Sequence, residues 1–265
     1  MHLRTVWLST ALACAAALSS SAVLAAGDFE FSGRAQADYS NIDTPGAATN
    51  VWSGSGAANL MITDPGLNVQ FNFLNDSYNA APKNQDYWGY GGDLYWRDYA
   101  GAFGANITVH ALANGGSGDD LSYGLFGESY LLRQLTLRLK AGHVSNNIDA
   151  NYADAGMVGY PSDNLALSLD LDYGKLQHGS EELRETAFAA EYLPVPQVPI
   201  SVSIGYGFAD LSQLKKNMNI LSVGLKVYFG GQGKTGSLRD RQRNGALSWD
   251  GAPSNTIVGL QLPAQ

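Results

Sequence analysis

Between Phe29 and Phe229 the chain is a train of short segments in which apolar and polar residues alternate one for one. Alternation at period two describes a strand with one apolar and one polar face. The polar faces carry full charges in mid-segment: Arg34, Asp93, Glu128, Arg138, Lys140, Asp170, Asp172, Glu185 and Lys226. A charge there is costly in a dry core unless it is paired. Two structures accommodate the pattern: a half-exposed sheet in water, or a barrel with lipid outside and water inside.

In order, the segments are Phe29–Ser40, Val51–Ile62, Leu67–Asp76, Tyr87–Trp96, Tyr99–Leu112, Leu121–Leu131, one opening at Leu135, Tyr152–Tyr160, one opening at Leu165, Leu183–Leu193, one opening at Ile200, and Ser222–Phe229. In the eighth, Tyr152–Tyr160, either face can be the apolar one. The connections after even-numbered segments are tight. Those after odd-numbered segments are longer and rich in Gly, Asn and Asp. The tenth, Pro194-Val-Pro-Gln-Val-Pro199, departs from this rhythm. An even strand count with alternating short turns and long loops predicts an all-β, transmembrane, antiparallel up-and-down β-barrel of 12 strands. A soluble β-sandwich also alternates. It neither needs so much apolar face nor tolerates so many mid-strand charges. Phe29, Trp96, Tyr99, Tyr160, Tyr192 and Phe229 recur at the end carrying the termini, as an interfacial aromatic girdle would.

The last segment carries a more particular pattern: Ser222, Gly224 two residues later, then Val227 and Phe229. It resembles the closing-strand signal of Gram-negative outer-membrane β-barrels, porin-like in general form. The resemblance spans the leader, the strand rhythm and this last strand, and reaches no particular family. It implies a bacterial outer-membrane location, outer-membrane lipid and lipopolysaccharide as surroundings, and the barrel-assembly machinery as a partner.

The leader fits the same compartment. Arg4 precedes an apolar run from Val6 to Leu18, and Val23 and Ala25 offer small residues for cleavage, so residues 1–25 read as a signal peptide cut after Ala25. The apolar core is short for a helical span of about 20 residues. The single cysteine, Cys14, lies in the leader, so the mature chain has no disulfide or thiol chemistry. No later apolar run reaches helical transmembrane length, and in lipid the remaining solution is a closed barrel.

After residue 230 the alternation stops. Residues 231–265 are Gly- and Ser-rich, with Arg239, Arg241 and Arg243 close together, and read as a flexible basic periplasmic tail behind a barrel at 26–230. Residues 27–230 hold 22 acidic and 11 basic side chains, whereas the tail nets +2. The tail is a candidate contact for peptidoglycan or a periplasmic protein. Nucleic acid is excluded by the compartment.

Catalytic and metal chemistry find little footing. His110 points inward near the outer rim, His143 outward at a strand end, and His178 lies in a loop. No outward Ser–His pair falls on neighbouring strands. The loop Asn114–Asp120 has oxygen ligands but not the spacing of an EF-hand. No catalytic, cofactor or metal site is expected. The nine charges named first are the lumen-lining candidates, with a mild acidic excess that favours cations slightly. Inward small residues, among them Ser53, Gly89, Gly124, Ala166, Ser201 and Gly205, leave room for a narrow pore. The leading expectation is a channel for passive passage of small hydrophilic solutes. The alternative is a non-conducting surface or assembly barrel that binds a partner through its loops or tail.

Overall fold

The computed structural model describes residues 29–247, apart from 45–46, 63–64, 80–84, 113–118, 146–148, 178–181, 213–215 and 231–235. The leader and residues 248–265 lie outside the described residues. Twelve strands follow one another: β1 Glu30–Thr44, β2 Ala47–Met61, β3 Gly66–Asn79, β4 Gln85–Arg97, β5 Gly101–Leu112, β6 Asp120–Leu132, β7 Leu135–Ser145, β8 Ala150–Ser162, β9 Leu165–Leu176, β10 Glu182–Tyr192, β11 Ile200–Leu211 and β12 Lys216–Gly230. Each pairs antiparallel with its neighbours in sequence, and β12 returns to β1, so the sheet is a closed barrel. The closing ladder runs from Ser32–Gly230 to Asp43–Asn219. Closure leaves no unpaired edge, the condition for placing a sheet in hydrocarbon.

Several strands run past the expected ends. β1 and β2 pair to Thr44–Ala47, and β12 starts at Lys216 rather than Ser222. In these extensions the apolar alternation of the sequence fades while the backbone ladder continues.

Outward positions are apolar and exposed on every side of the barrel, including Phe71, Tyr90, Phe103, Leu125, Leu139, Phe188, Ile204 and Leu225. Inward positions are mostly polar in the middle of the barrel and carry apolar and aromatic clusters towards its ends. The girdle differs from expectation at Tyr160, which turns inward and is buried, whereas Tyr99 is 93 % exposed, as an outward position requires. Phe229 stays on the outer face but lies flat over Gly33, where any Cβ would collide with its ring.

Candidate functional site

The lumen is built in layers. At the loop end, inward apolar and aromatic side chains pack on the wall: Val51, Tyr78 and Tyr87 on one side, and Val144, Tyr152, Leu183 and Leu211 on the other. Below them lies a band of ionisable groups. Lys140, Asp154, Asp172 and Glu185 are successive cross-strand partners on β7, β8, β9 and β10. Three carboxylates therefore stand side by side next to one ammonium. Lys140 pairs with Asp154 at 3.0 Å. One rung on, Arg138 reaches Asp170 at 2.6 Å. Between them in register is Gly156, where a Cβ would meet both partners. Glycine there lets an ion pair span an intervening strand.

At the opposite end, which carries both strand termini, the lumen is filled by the chain's own continuation. Residues Leu238–Asn244 form a two-turn helix, α1. Ser237 caps it by accepting the Asp240 amide at 3.2 Å. Burial disfavours the Asp240 carboxylate, but hydrogen bonds from Ser237 and Arg239 outweigh it and hold the carboxyl below its ordinary range. Leu238 packs among Val158, Tyr160, Ala166, Leu193 and Tyr228. Leu247 packs among Tyr95, Ala102 and Phe126. Gln70 grips the Leu247 backbone on both sides, accepting its N–H at 2.7 Å and donating to its carbonyl at 3.5 Å. Arg34 donates to the same carbonyl at 3.0 Å, and Arg97 to the Gly245 carbonyl at 2.7 Å. Arg243 lies between the rings of Tyr130 and Tyr160 and donates to Thr136, Leu132 and Leu135.

Glu191 is the hub of this layer. One oxygen accepts from Ser201 at 2.5 Å and Tyr228 at 2.6 Å; the other accepts from Lys226 at 2.8 Å and Gln242 at 3.0 Å. Gln242 in turn accepts from Tyr160 at 2.9 Å.

The nine charges singled out in the sequence fall into two groups. Arg138, Lys140, Asp170, Asp172 and Glu185 form the middle band. Arg34, Asp93, Glu128 and Lys226 belong to the plugged end, where each is under 9 % exposed. Asp93 accepts from Gln70 and Asn72, and Glu128 accepts from Tyr130. The expectation of a flexible tail does not hold for residues 236–247, which are packed inside the barrel. The space left by small inward residues is partly taken as well: Ala166 contacts the Leu238 cluster, and the Tyr152 ring lies across Gly124 and Gly142.

Asp154 was missed because the inner face of β8 carries Tyr152, Val158 and Tyr160, which leaves either face of that segment able to be the apolar one in sequence. Glu191 carried no motif. The plug did carry one: Ser237-Leu-Arg-Asp240 is a helix-start signature with Ser237 just ahead of the helix, and Leu247 closes the segment. The odd proline connection, residues 194–199, now has a reason. Its Pro196 carbonyl accepts from Arg241 at 2.8 Å, so the loop cups the plug.

One Ser–His pair does occur inside the lumen. His110 Nε2 lies 2.9 Å from Ser122 Oγ, with Asp120 beside His110 in the ladder. The Ser122 hydroxyl donates to the Thr108 carbonyl and is wholly buried, so it is not presented to a substrate. His143 sits at the loop end of β7, near Asn151 and Asp149. His178 and most of the 114–120 loop lie outside the described residues. Among the described residues no group of three His, Cys, Asp or Glu side chains is placed for a metal ion.

A closed antiparallel barrel of twelve strands with an apolar outer face and a charged interior is the fold of outer-membrane β-barrel porins. Solved structures agree. The KdgM porin superposes with a TM-score of 0.53 at 9 % identity, covering 73 % of this chain and 99 % of that one. The NanC porin gives 0.56 at 11 % identity, covering 72 % and 98 %. An outer membrane channel from Pseudomonas putida F1 gives 0.56 at 13 % identity, covering 77 % and 97 %. At these identities the likeness is one of fold. No protein-family profile and no curated protein matches the sequence.

Proposed function

We propose that this protein is a bacterial outer-membrane channel for small hydrophilic solutes. The plugged end faces the periplasm, where short turns and both strand termini belong in such barrels. The reading is supported above all by the middle band. Asp170 faces inward in a closed wall and yet its side chain is 24 % exposed, so solvent reaches it inside the lumen. Asp172 and Glu185 are half-buried in the same way. The porins and the channel to which the fold is similar are in keeping with it. Three adjacent carboxylates beside one lysine favour cations over anions.

The test is conductance in planar bilayers with purified, folded protein, both native and with Leu238→Ala to loosen the plug. Cation-selective steps are expected, more frequent in the variant. Silence from both, with folding intact, would refute the reading. It would favour the alternative that the plugged end also suggests: a non-conducting barrel that binds a partner through its loops.

A further inference from the structure

The segment 236–247 is held in an unusual way for part of a barrel. No strand ladder depends on it, since β12 closes on β1 before it begins. It is recognised largely through its backbone: Gln70 and Arg34 read Leu247, Arg97 reads Gly245, and the Asp163 carbonyl accepts the Leu238 N–H at 2.7 Å. Two side-chain seats add selectivity. The Tyr130–Tyr160 pair takes the Arg243 guanidinium, and Glu191 takes the Gln242 amide. Leu238 and Leu247 are the large apolar groups it buries. A helix of two turns has little stability of its own, so the segment is ordered by the wall. The wall's polar groups, for their part, can turn to lumen water when it leaves.

Taking the channel reading as its basis, we propose that the plugged mouth is a peptide-binding site. Its resident ligand is residues 236–247 of the same chain, which leave and re-enter as the gate of the passage. Bound, they fill the mouth. Released, they uncover a polar opening lined by Arg34, Gln70, Arg97, Tyr130 and Glu191. Because the ligand belongs to the same chain, its rebinding is intramolecular, at an effective concentration on the order of millimolar, and the closed state dominates.

The test uses the full chain carrying Asp163→Cys and Arg239→Cys, the first at the acceptor of the Leu238–Asp163 backbone hydrogen bond and the second next to its donor, with Cys14→Ser so that uncleaved precursor adds no third thiol. A short reducible thiol linker then fastens the segment in place. Bridging is expected to lower open probability at least tenfold, and reduction to restore it. In a second arm, a synthetic peptide of residues 236–247, at about millimolar concentration, is added on the termini side of Leu238→Ala channels. It should close them, whereas a scrambled peptide should not. Bridged channels that conduct like unbridged ones, or a native peptide no better than the scrambled one, overturn the gate while leaving the channel standing. Folded, unbridged protein and Leu238→Ala that never conduct overturn the channel, and the gate with it.

Discussion

Leu238→Ala isolates the grip of the plug from the integrity of the barrel. The leucine is fully buried among Val158, Tyr160, Ala166, Leu193 and Tyr228, five side chains fixed on the wall or its turns. A wall held by twelve backbone ladders does not collapse around a lost isobutyl group, so the cavity term persists. Truncating such a leucine costs roughly 2–5 kcal/mol. The cost falls on the docked state alone, because the released segment leaves residue 238 in water in either case. At about 1.4 kcal/mol per tenfold, the docked-to-released ratio drops by a factor of roughly 30 to several thousand. Open probability in planar bilayers should rise accordingly. Hydrogen exchange at residues 238–244 should accelerate by the same factor, while exchange in β1 and β12 stays as it was. Two outcomes refute this reasoning in different places. If exchange accelerates and current does not, the segment docks as described but is not the barrier. If neither changes, the packing around Leu238 does not hold the segment.

Three further expectations test other parts of the lumen. Glu191→Ala leaves Lys226 buried without its carboxylate and removes the acceptor for Ser201, Tyr228 and Gln242. A loss of roughly 3–5 kcal/mol is expected from breaking such a pair, read as a lower denaturant midpoint in detergent; an unchanged midpoint would show the hub to be dispensable. Gly156→Val drives a side chain between Arg138 and Asp170, so the pair should separate. A shifted Arg138 resonance in isotope-labelled protein would report it, and an unmoved one would contradict the spanning geometry. Asp240 has its carboxyl held below the ordinary range, so its stabilising contribution is present above a pH of about 4 and is lost as pH falls further. Acidification below about that value should loosen the helix start and speed exchange at residues 238–244 in native protein. Asp240→Asn should remove that pH step, and its persistence would place the titration elsewhere.

Much of the barrel was legible because nearly every strand keeps one apolar outer face. The twelve alternating segments and the outward apolar parity both follow from that single rule. Legibility failed where the inner face was also apolar. In β8 the inward Tyr152, Val158 and Tyr160 serve the wall clusters and the plug, so period two no longer told inside from outside. It failed again at strand ends beyond the apolar band, where a ladder persists without any hydrophobic signature.

The sequence by itself determined the wall: strand number, closure and facing, since local alternation and turn residues are enough to specify which side chains meet lipid. Only the tertiary structure decided what fills the interior. Which carboxylates stand in one row depends on the stagger of four strands, and that Arg138 meets Asp170 depends on a glycine in a third strand. The fate of residues 236–247 was decided over the longest reach of all. Gln70 and Leu247 are 177 residues apart, and Arg34 and Leu247 are 213 apart. A short polar segment with a capping signal carries no record of a distant cavity of matching donors. It becomes a plug only once the closed barrel has assembled those donors around one mouth.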